Sequence, residues 1–290
     1  MVGQITGAVL ALDIGGTKVA AGVGTADGTL HSVVSVPTPR GTGDDDLWEA
    51  VCDLLEPRVA GCMAVGVGCG GPMAFGGETV SPLNIPAWRG FPLRRRLIER
   101  FELPVAIDND AKALAIAEGW WGAAVGEANY LAMVVSTGVG GGIVSDGRLL
   151  DGAGGNAGHI GHVIVEPGGR LCVCGARGCL EAEASGPSIE AMTGRPPSEA
   201  TTEVRRRTGR LVGRAVGSVA NLLDLRLAVV AGSVALGFGD DFFDAAQGEL
   251  DRTACIEFAR GATIIPGGLG ADGPLLGAAA VGFRSLVTHE

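Results

Sequence analysis

His162, Cys172, Cys174 and Cys179 follow the spacing H-x9-C-x-C-x4-C. One imidazole and three thiols make a complete tetrahedral donor set. No position is left for water or substrate, so these residues point to structural zinc binding rather than metal catalysis. Glycine and proline around them can bend the chain into a knuckle. A disulfide is the competing use of these cysteines. It fits poorly, because Cys172 and Cys174 are separated by a single residue and the chain carries no signal for an oxidising compartment. Cys52, Cys62, Cys69 and Cys255 lie scattered in apolar surroundings and read as buried thiols.

Two glycine-rich turns offer a different chemistry. Asp13-Ile14-Gly15-Gly16-Thr17-Lys18 falls between two predicted strands. Glycine there lets the chain turn tightly and lets backbone amides approach a phosphate with no β-carbon in the way. Asp13 would then hold Mg²⁺ through water. A lone Gly-Gly turn is also explained as an ordinary hairpin. The second turn, Ser136-Thr137-Gly138-Val139-Gly140-Gly141-Gly142, again joins two predicted strands and sets four glycines beside two hydroxyls. Two matched turns point to a nucleotide more than either does alone. Neither has the spacing of a Walker loop and no G-x-G-x-x-G opens a helix, so P-loop and dinucleotide-binding readings fall away.

Asp108-Asn109-Asp110 falls where a predicted strand ends and a helix begins. Polar side chains at such a junction cap the helix, and they can also face a cleft. A carboxylate of ordinary pKa can act as base in phosphoryl transfer, because the transition state is loose and the acceptor proton leaves late.

Short alternating elements must position these residues. Three strands are predicted at Ala8 to Asp13, Lys18 to Gly24 and Thr29 to Val36, followed by a helix that starts at Asp44-Asp45-Asp46 and stops near Pro57. Strand Cys62 to Gly68, a basic helix from Pro92 to Phe101, strand Val105 to Asp108 and a helix from Asn109 to Ala124 complete the first series. The pattern then restarts with strands Tyr130 to Ser136, Gly141 to Ser145 and Arg148 to Leu150. A long helix at Glu203 to Leu223, strand Leu227 to Ala231, a helix, strand Ala262 to Ile265 and a closing helix from Asp272 follow. Two series that each open strand, glycine turn, strand point to a duplicated α/β unit.

Length and composition set the frame. A chain of 290 residues with 47% apolar and 19% charged residues is globular and long enough for two lobes, with a cleft between them as the default ligand site. The 50 glycines and 14 prolines imply many tight turns. A net charge of −10 argues against nucleic acid as a partner, and ATP would have to be held locally by backbone amides and Mg²⁺. No apolar run is long enough to span a membrane and no secretory leader is evident, so a cytoplasmic protein is expected.

The two glycine turns resemble the phosphate motifs of the sugar kinase, heat-shock-protein ATPase and actin superfamily. Ala231-Gly232-Ser233 resembles its adenosine-side turn, with Ala231 in place of one glycine. The run Gly158-His159-Ile160-Gly161-His162, continued by Cys172-Val173-Cys174-Gly175 and Gly178-Cys179-Leu180-Glu181, closely resembles the signature of the ROK family, and the likeness extends over essentially the whole chain. That resemblance implies a two-lobed actin-like (ribonuclease H-like) α/β fold with a zinc knuckle. Its small lobe would comprise 1–108 plus a C-terminal helix at 272–290, and its large lobe 109–271. It also implies an ATP-dependent hexose kinase acting on glucose or an N-acylhexosamine.

By the same resemblance Asp110 is the base, and Gly71, Asn84, Asn109, Asp110, His159, His162 and Glu181 meet the sugar. Asp13, Gly15, Gly16, Thr17, Lys18, Ser136, Thr137, Gly138, Gly140, Gly141, Gly232 and Ser233 meet ATP. His162, Cys172, Cys174 and Cys179 hold Zn²⁺, Mg²⁺ accompanies ATP, and a homodimer is expected. Two positions depart from the glucokinase-like pattern: His159 stands where Glu is usual, as in the G-H-I-G-H run of bacterial N-acetylmannosamine kinases, and Lys112 stands where Asn is frequent. An imidazole cannot accept from two hydroxyls as a carboxylate does. The rival reading is a non-catalytic sugar-sensing ROK regulator or scaffold. Regulators add an N-terminal DNA-reading segment, and with a first strand predicted at Ala8 none is expected here.

Overall fold

The computed structural model describes residues 6–39 and 43–287. The chain divides into two compact units. The first is drawn from Met1–Gly122, Asp151–Ala157 and Ala271–Glu290, the second from Ala123–Leu150 and Gly158–Gly270.

In the first unit, strands β1 (Ala8–Ile14), β2 (Lys18–Thr25), β3 (Leu30–Pro37), β4 (Cys62–Cys69) and β5 (Val105–Asn109) form one sheet in the order β3-β2-β1-β4-β5. The first three are antiparallel; β4 and β5 run parallel to β1. β1 and β4 are central and buried on both faces, which is why they read as near-continuous apolar runs, whereas edge strand β3 is largely exposed. Helix α1 (Asp44–Leu55) buries Leu47, Val51, Leu54 and Leu55 in the core on one face, joined by α2 (Leu93–Phe101) through Leu93 and Leu97. Helices α3 (Asp110–Trp121) and α9 (Gly273–Val287) pack together on the other face, α9 against β1, β4 and β5.

The second unit repeats this plan. Strands β6 (Tyr130–Val135), β7 (Val139–Ser145), β8 (Arg148–Leu149), β9 (Leu227–Ala231) and β10 (Thr263–Pro266) lie in the order β10-β9-β6-β7-β8, with the same alternation of antiparallel and parallel pairs. The short helices α4 (Leu180–Ala184), α5 (Gly186–Thr193) and α7 (Ser233–Phe238) join the long pair α6 (Thr202–Leu223) and α8 (Asp240–Thr253) around its core. The duplication expected from the two strand–turn–strand series is therefore present as matching topology.

Three expectations shift. Helix α3 packs on α9 and closes the first unit at Gly122, so that unit takes in residues 109–122 and Asp151–Ala157, which the expected boundary at 108 assigned elsewhere. Strand β7 begins at Val139, two residues before the expected start at Gly141, so the glycine turn is shorter than its sequence run: Gly140, Gly141 and Gly142 pair with Val134, Met133 and Ala132. Cys255 is exposed, not buried; it lies between helix α8 and β10, and its thiol lies 3.1 Å from the Arg252 carbonyl. Among the described residues no helix is long and apolar enough to cross a membrane.

Candidate active site

Asp13, Gly68 and Asp108 share one register row across β1, β4 and β5, near the carboxyl ends of three parallel strands. Open α/β sheets bind ligands beyond such ends. A β-carbon on Gly68 would stand 3.6 Å from Asp13 Oδ1 and 3.7 Å from the Asp110 α-carbon, so the two acids meet around the small residue between them. Asp13 is only 7% exposed. Burial, and then the negative charge of Asp110, push its carboxyl up to about 7, against the pull of Lys18. A buried carboxylate beside a second acid is stabilised in its charged form by a cation.

Asp110 is the first residue of α3. Asn109 caps that helix, its Oδ1 accepting the amides of Ala111 at 3.1 Å and Lys112 at 3.4 Å, while Asp110 Oδ1 accepts the Ala111 amide at 2.9 Å. The capping role weighed from sequence is thus real. It also fixes Asp110 at a helix N-terminus, where a negative charge is favoured.

The first glycine turn abuts the loop after β4. The Gly15 amide donates to the Lys18 carbonyl at 3.0 Å, and Thr38, unremarked in the sequence, donates its hydroxyl to the Gly15 carbonyl at 2.6 Å. A β-carbon on Gly16 would fall 2.6 Å from Asn84 Cβ, so only glycine lets the turn and the loop touch. The loop itself is ordered by Arg89, whose Nη1 donates to the carbonyls of Pro82, Ile85 and Trp88 at 2.8–2.9 Å. Trp88 is fully buried and stacked on Phe91 at 4.1 Å, so it serves as packing and not as a sugar platform. The Leu83 amide donates to the Gly71 carbonyl at 3.2 Å, which brings Gly71 and Asn84 into one loop structure.

In the second unit, Ser136 and Ser233 are brought together, their hydroxyl oxygens 2.9 Å apart, although 97 residues separate them. The glycine turn after β6 and Gly232-Ser233 after β9 thus form one locus. Glu181 Oε2 accepts the Val139 amide at 3.0 Å, which ties the start of β7 to α4. The G-H-I-G-H run lies directly on β7. A β-carbon on Gly161 would stand 2.1 Å from the Val139 carbonyl oxygen, and one on Gly158 2.3 Å from that of Gly141, which is the physical reason for glycine at both positions. His159 and His162 follow this backbone, with ring centroids 6.1 Å apart.

Beyond this run the chain forms the knuckle. The ligand atoms of His162, Cys172, Cys174 and Cys179 all lie within 4.8 Å of one another. Cys172 Sγ is 3.6 Å from His162 Nδ1, and Cys174 Sγ is 3.7 Å from Cys179 Sγ. Metal–sulfur bonds of about 2.3 Å give a tetrahedron with edges of about 3.8 Å, so the donors fit a four-coordinate metal ion, and all four cluster members match the sequence reading. The Cys172 amide donates to the Ala176 carbonyl at 2.8 Å, closing the turn that presents two of the thiols. Glu183, which sequence reasoning passed over, accepts the Arg170 amide at 2.7 Å and pairs with Arg207 at 2.7 Å, anchoring the knuckle to α6. Those two donors hold its carboxyl below the usual range despite burial, which raises it.

A cavity of about 590 Å³ opens in the first unit among Ile98, Val105, Ile107, Ile116, Val281 and Arg284. It takes in none of the residues assigned to sugar or nucleotide.

The chain as a whole is similar to known proteins. An N-acetylmannosamine kinase from Escherichia fergusonii is 37% identical over 246 residues, covering 79% of this chain and 84% of that protein. A ROK hexokinase from Thermus thermophilus superposes with a TM-score of 0.81 at 34% identity, over 97% of this chain and 99% of that one. A ROK family glucokinase from Streptomyces griseus, solved with glucose and AMPPNP, gives 0.84 at 30% identity over 96% and 100%. The ROK family profile matches residues 9–284, and on that match, with two repeated sheets and a His/Cys knuckle behind it, the chain belongs to the ROK family.

Proposed function

We propose that this chain is an ATP-dependent sugar kinase that transfers the γ-phosphoryl group of ATP to the 6-hydroxyl of a hexose or N-acylhexosamine, with Asp110 as the base. The observation that carries the reading is the meeting of Asp110 and Asp13 around Gly68, beside a glycine turn and a sugar loop in contact through Gly16 and Asn84. A proton acceptor and a phosphate turn then serve one reacting centre.

Asp110 takes the proton of the acceptor hydroxyl as that oxygen bonds to phosphorus and the bond from phosphorus to the ADP oxygen breaks. The loose transition state asks little basicity of it, so an ordinary carboxylate suffices once it is placed within about 3 Å of the hydroxyl. Asp13 is the residue that would hold Mg²⁺, whose contribution when bound is to offset phosphate charge. Gly15, Gly16, Thr17, Lys18, Ser136, Thr137, Gly138, Gly140, Gly141, Gly232 and Ser233 are the proposed nucleotide contacts. Gly71, Asn84, Asn109, His159, His162 and Glu181 are the proposed sugar contacts. His162, Cys172, Cys174 and Cys179 would hold a structural Zn²⁺ that keeps the G-H-I-G-H run in shape.

His159 in place of the usual carboxylate, together with 37% identity to an N-acetylmannosamine kinase, supports N-acetylmannosamine over glucose as the acceptor. A homodimer in the cytoplasm is part of the same proposal. The test is a coupled assay with ATP and Mg²⁺ across glucose, mannose, allose, N-acetylglucosamine and N-acetylmannosamine, comparing kcat/KM. The highest value is expected for N-acetylmannosamine. A preference for glucose overturns the assignment of the acceptor, and no turnover of any sugar overturns the kinase reading.

A further inference from the structure

Lys112 is only 2% exposed, and its ammonium reaches three oxygens: Asp108 Oδ1 at 3.0 Å, Asp151 Oδ1 at 2.8 Å and the Gly155 carbonyl at 3.0 Å. Three donors thus meet three acceptors, as a buried ammonium requires. Arg284 flanks this cluster and pairs with the same two acids, 4.0 Å from Asp108 Oδ2 and 3.8 Å from Asp151 Oδ2. The side chain that departs from the family pattern two residues after Asp110 is therefore turned into the first unit as the centre of an ion cluster.

The cluster's two arms lead to the acceptor side of the site. Asp108 Oδ1 also accepts the Asn109 amide at 2.9 Å, so Lys112 fixes the corner between β5 and α3 from which Asn109 and Asp110 project. Asp151 and Gly155 belong to the segment Asp151–Ala157, which is closed on itself by the Ala157 amide donating to the Asp151 carbonyl at 3.0 Å. From this segment Asn156 makes a two-way pair with the backbone of Met73. The Met73 amide donates to Asn156 Oδ1 at 3.4 Å, and Asn156 Nδ2 donates to the Met73 carbonyl at 3.3 Å. Met73 follows Gly71-Pro72 in the sugar loop.

We propose that Lys112 is a positioning residue for the sugar, acting through a strap: its ammonium clamps Asp151–Ala157, and Asn156 on that strap holds the Gly71 loop. The hydrogen bonds of the strap itself go to Lys112 and Met73 and to no residue assigned to ATP, so their loss is expected to fall first on the sugar. This rests on the kinase reading for its activity arm and stands apart from it for its exchange arm.

The test uses the 290-residue chain with Asp151→Asn, at a half-exposed position, alongside Asn156→Ala and Lys112→Met. Each of the first two is expected to raise the sugar KM about ten-fold with the ATP KM within about two-fold, a split that general destabilisation would not produce. The double variant is expected to match either single, since both break one chain of contacts. Amide exchange in residues 152–157 and in the loop around Met73 is expected to speed up about ten-fold in Asp151→Asn while α3 keeps its protection. Equal changes in both KM values, or none, overturn the proposal, as do multiplicative effects or unchanged exchange. Lys112→Met is expected to show the same KM split if it folds; should it fail to fold, Asp151→Asn and Asn156→Ala decide. If the parent phosphorylates no sugar, the kinase reading fails separately and exchange alone decides the strap.

Discussion

Asn84 Cβ occupies the space where a side chain on Gly16 would have to go, 2.6 Å from the ideal β-carbon position. The glycine turn proposed for phosphate and the loop proposed for sugar are thereby in direct contact, and a methyl group at residue 16 must push one away from the other. Misplacing reacting groups by about 1 Å costs on the order of 100-fold in rate. Gly16→Ala is expected to lower kcat/KM by about that factor while the protein stays folded. Gly237→Ala, on a helix with open space around it, is the control expected to leave activity unchanged. Steady-state kinetics and thermal melts of both variants check this.

Asp110→Asn keeps the shape of the base and removes its capacity to take a proton. A loss of about 100-fold to 10,000-fold in kcat is expected, with the sugar KM little changed and α3 intact. Turnover within a few-fold of the parent would show that another group accepts the proton.

Asp13 titrates at about 7 in the fold against 3.8 as a free side chain, through burial first and the charge of Asp110 second. The folded state therefore binds more protons than the unfolded chain between those values, and stability falls as pH rises through that window. Above it the charged carboxylate is a standing cost of the site. In Mg²⁺-free buffer Asp13→Asn is expected to melt at least about 2 °C above the parent at pH 8, a gain that shrinks toward pH 5. Its kinase activity is expected to be lost. Melting curves across pH, paired with the coupled assay, test both halves.

One zinc ion per chain is expected by elemental analysis, lost in Cys179→Ser. Cys179 is buried and is also the residue that precedes α4, so its loss loosens the knuckle and the start of α4 together. Metal removal is expected to lower the melting temperature and raise the sugar KM, because His162, a proposed metal ligand, is itself part of the G-H-I-G-H run. Retention of full stability after complete removal of the metal would overturn the structural role.

The succession of strands and helices, the glycine turns, the helix cap at Asn109 and the knuckle spacing were all legible along the chain, because each depends on neighbours a few residues apart. Alternation, turn residues and donor spacing are local quantities. The start of β7 was set two residues late for the same reason: glycine signals a turn locally, yet Val139 and Gly140 already lie in the strand, where the Gly158–Gly161 backbone crosses close above. Cys255 misled likewise, since an apolar neighbourhood in sequence does not guarantee a buried one in space.

The sequence by itself determined the repeated α/β plan, the donor set for a metal and the identity of the acids and amides at the strand ends. Only the tertiary structure decided which of them meet. Glu181 reaches Val139 over 42 residues and Lys112 reaches Asp151 over 39, contacts that no periodicity encodes. Helix α3 is buried on nearly every face from Ala111 to Glu118, so its pattern names no preferred partner, and its packing on α9, β4 and β5 assigns it to the first unit. The physical reason is common to all three. Local spacing sets backbone conformation, whereas ion pairing and close packing depend on which distant segments the completed fold brings within a few ångströms.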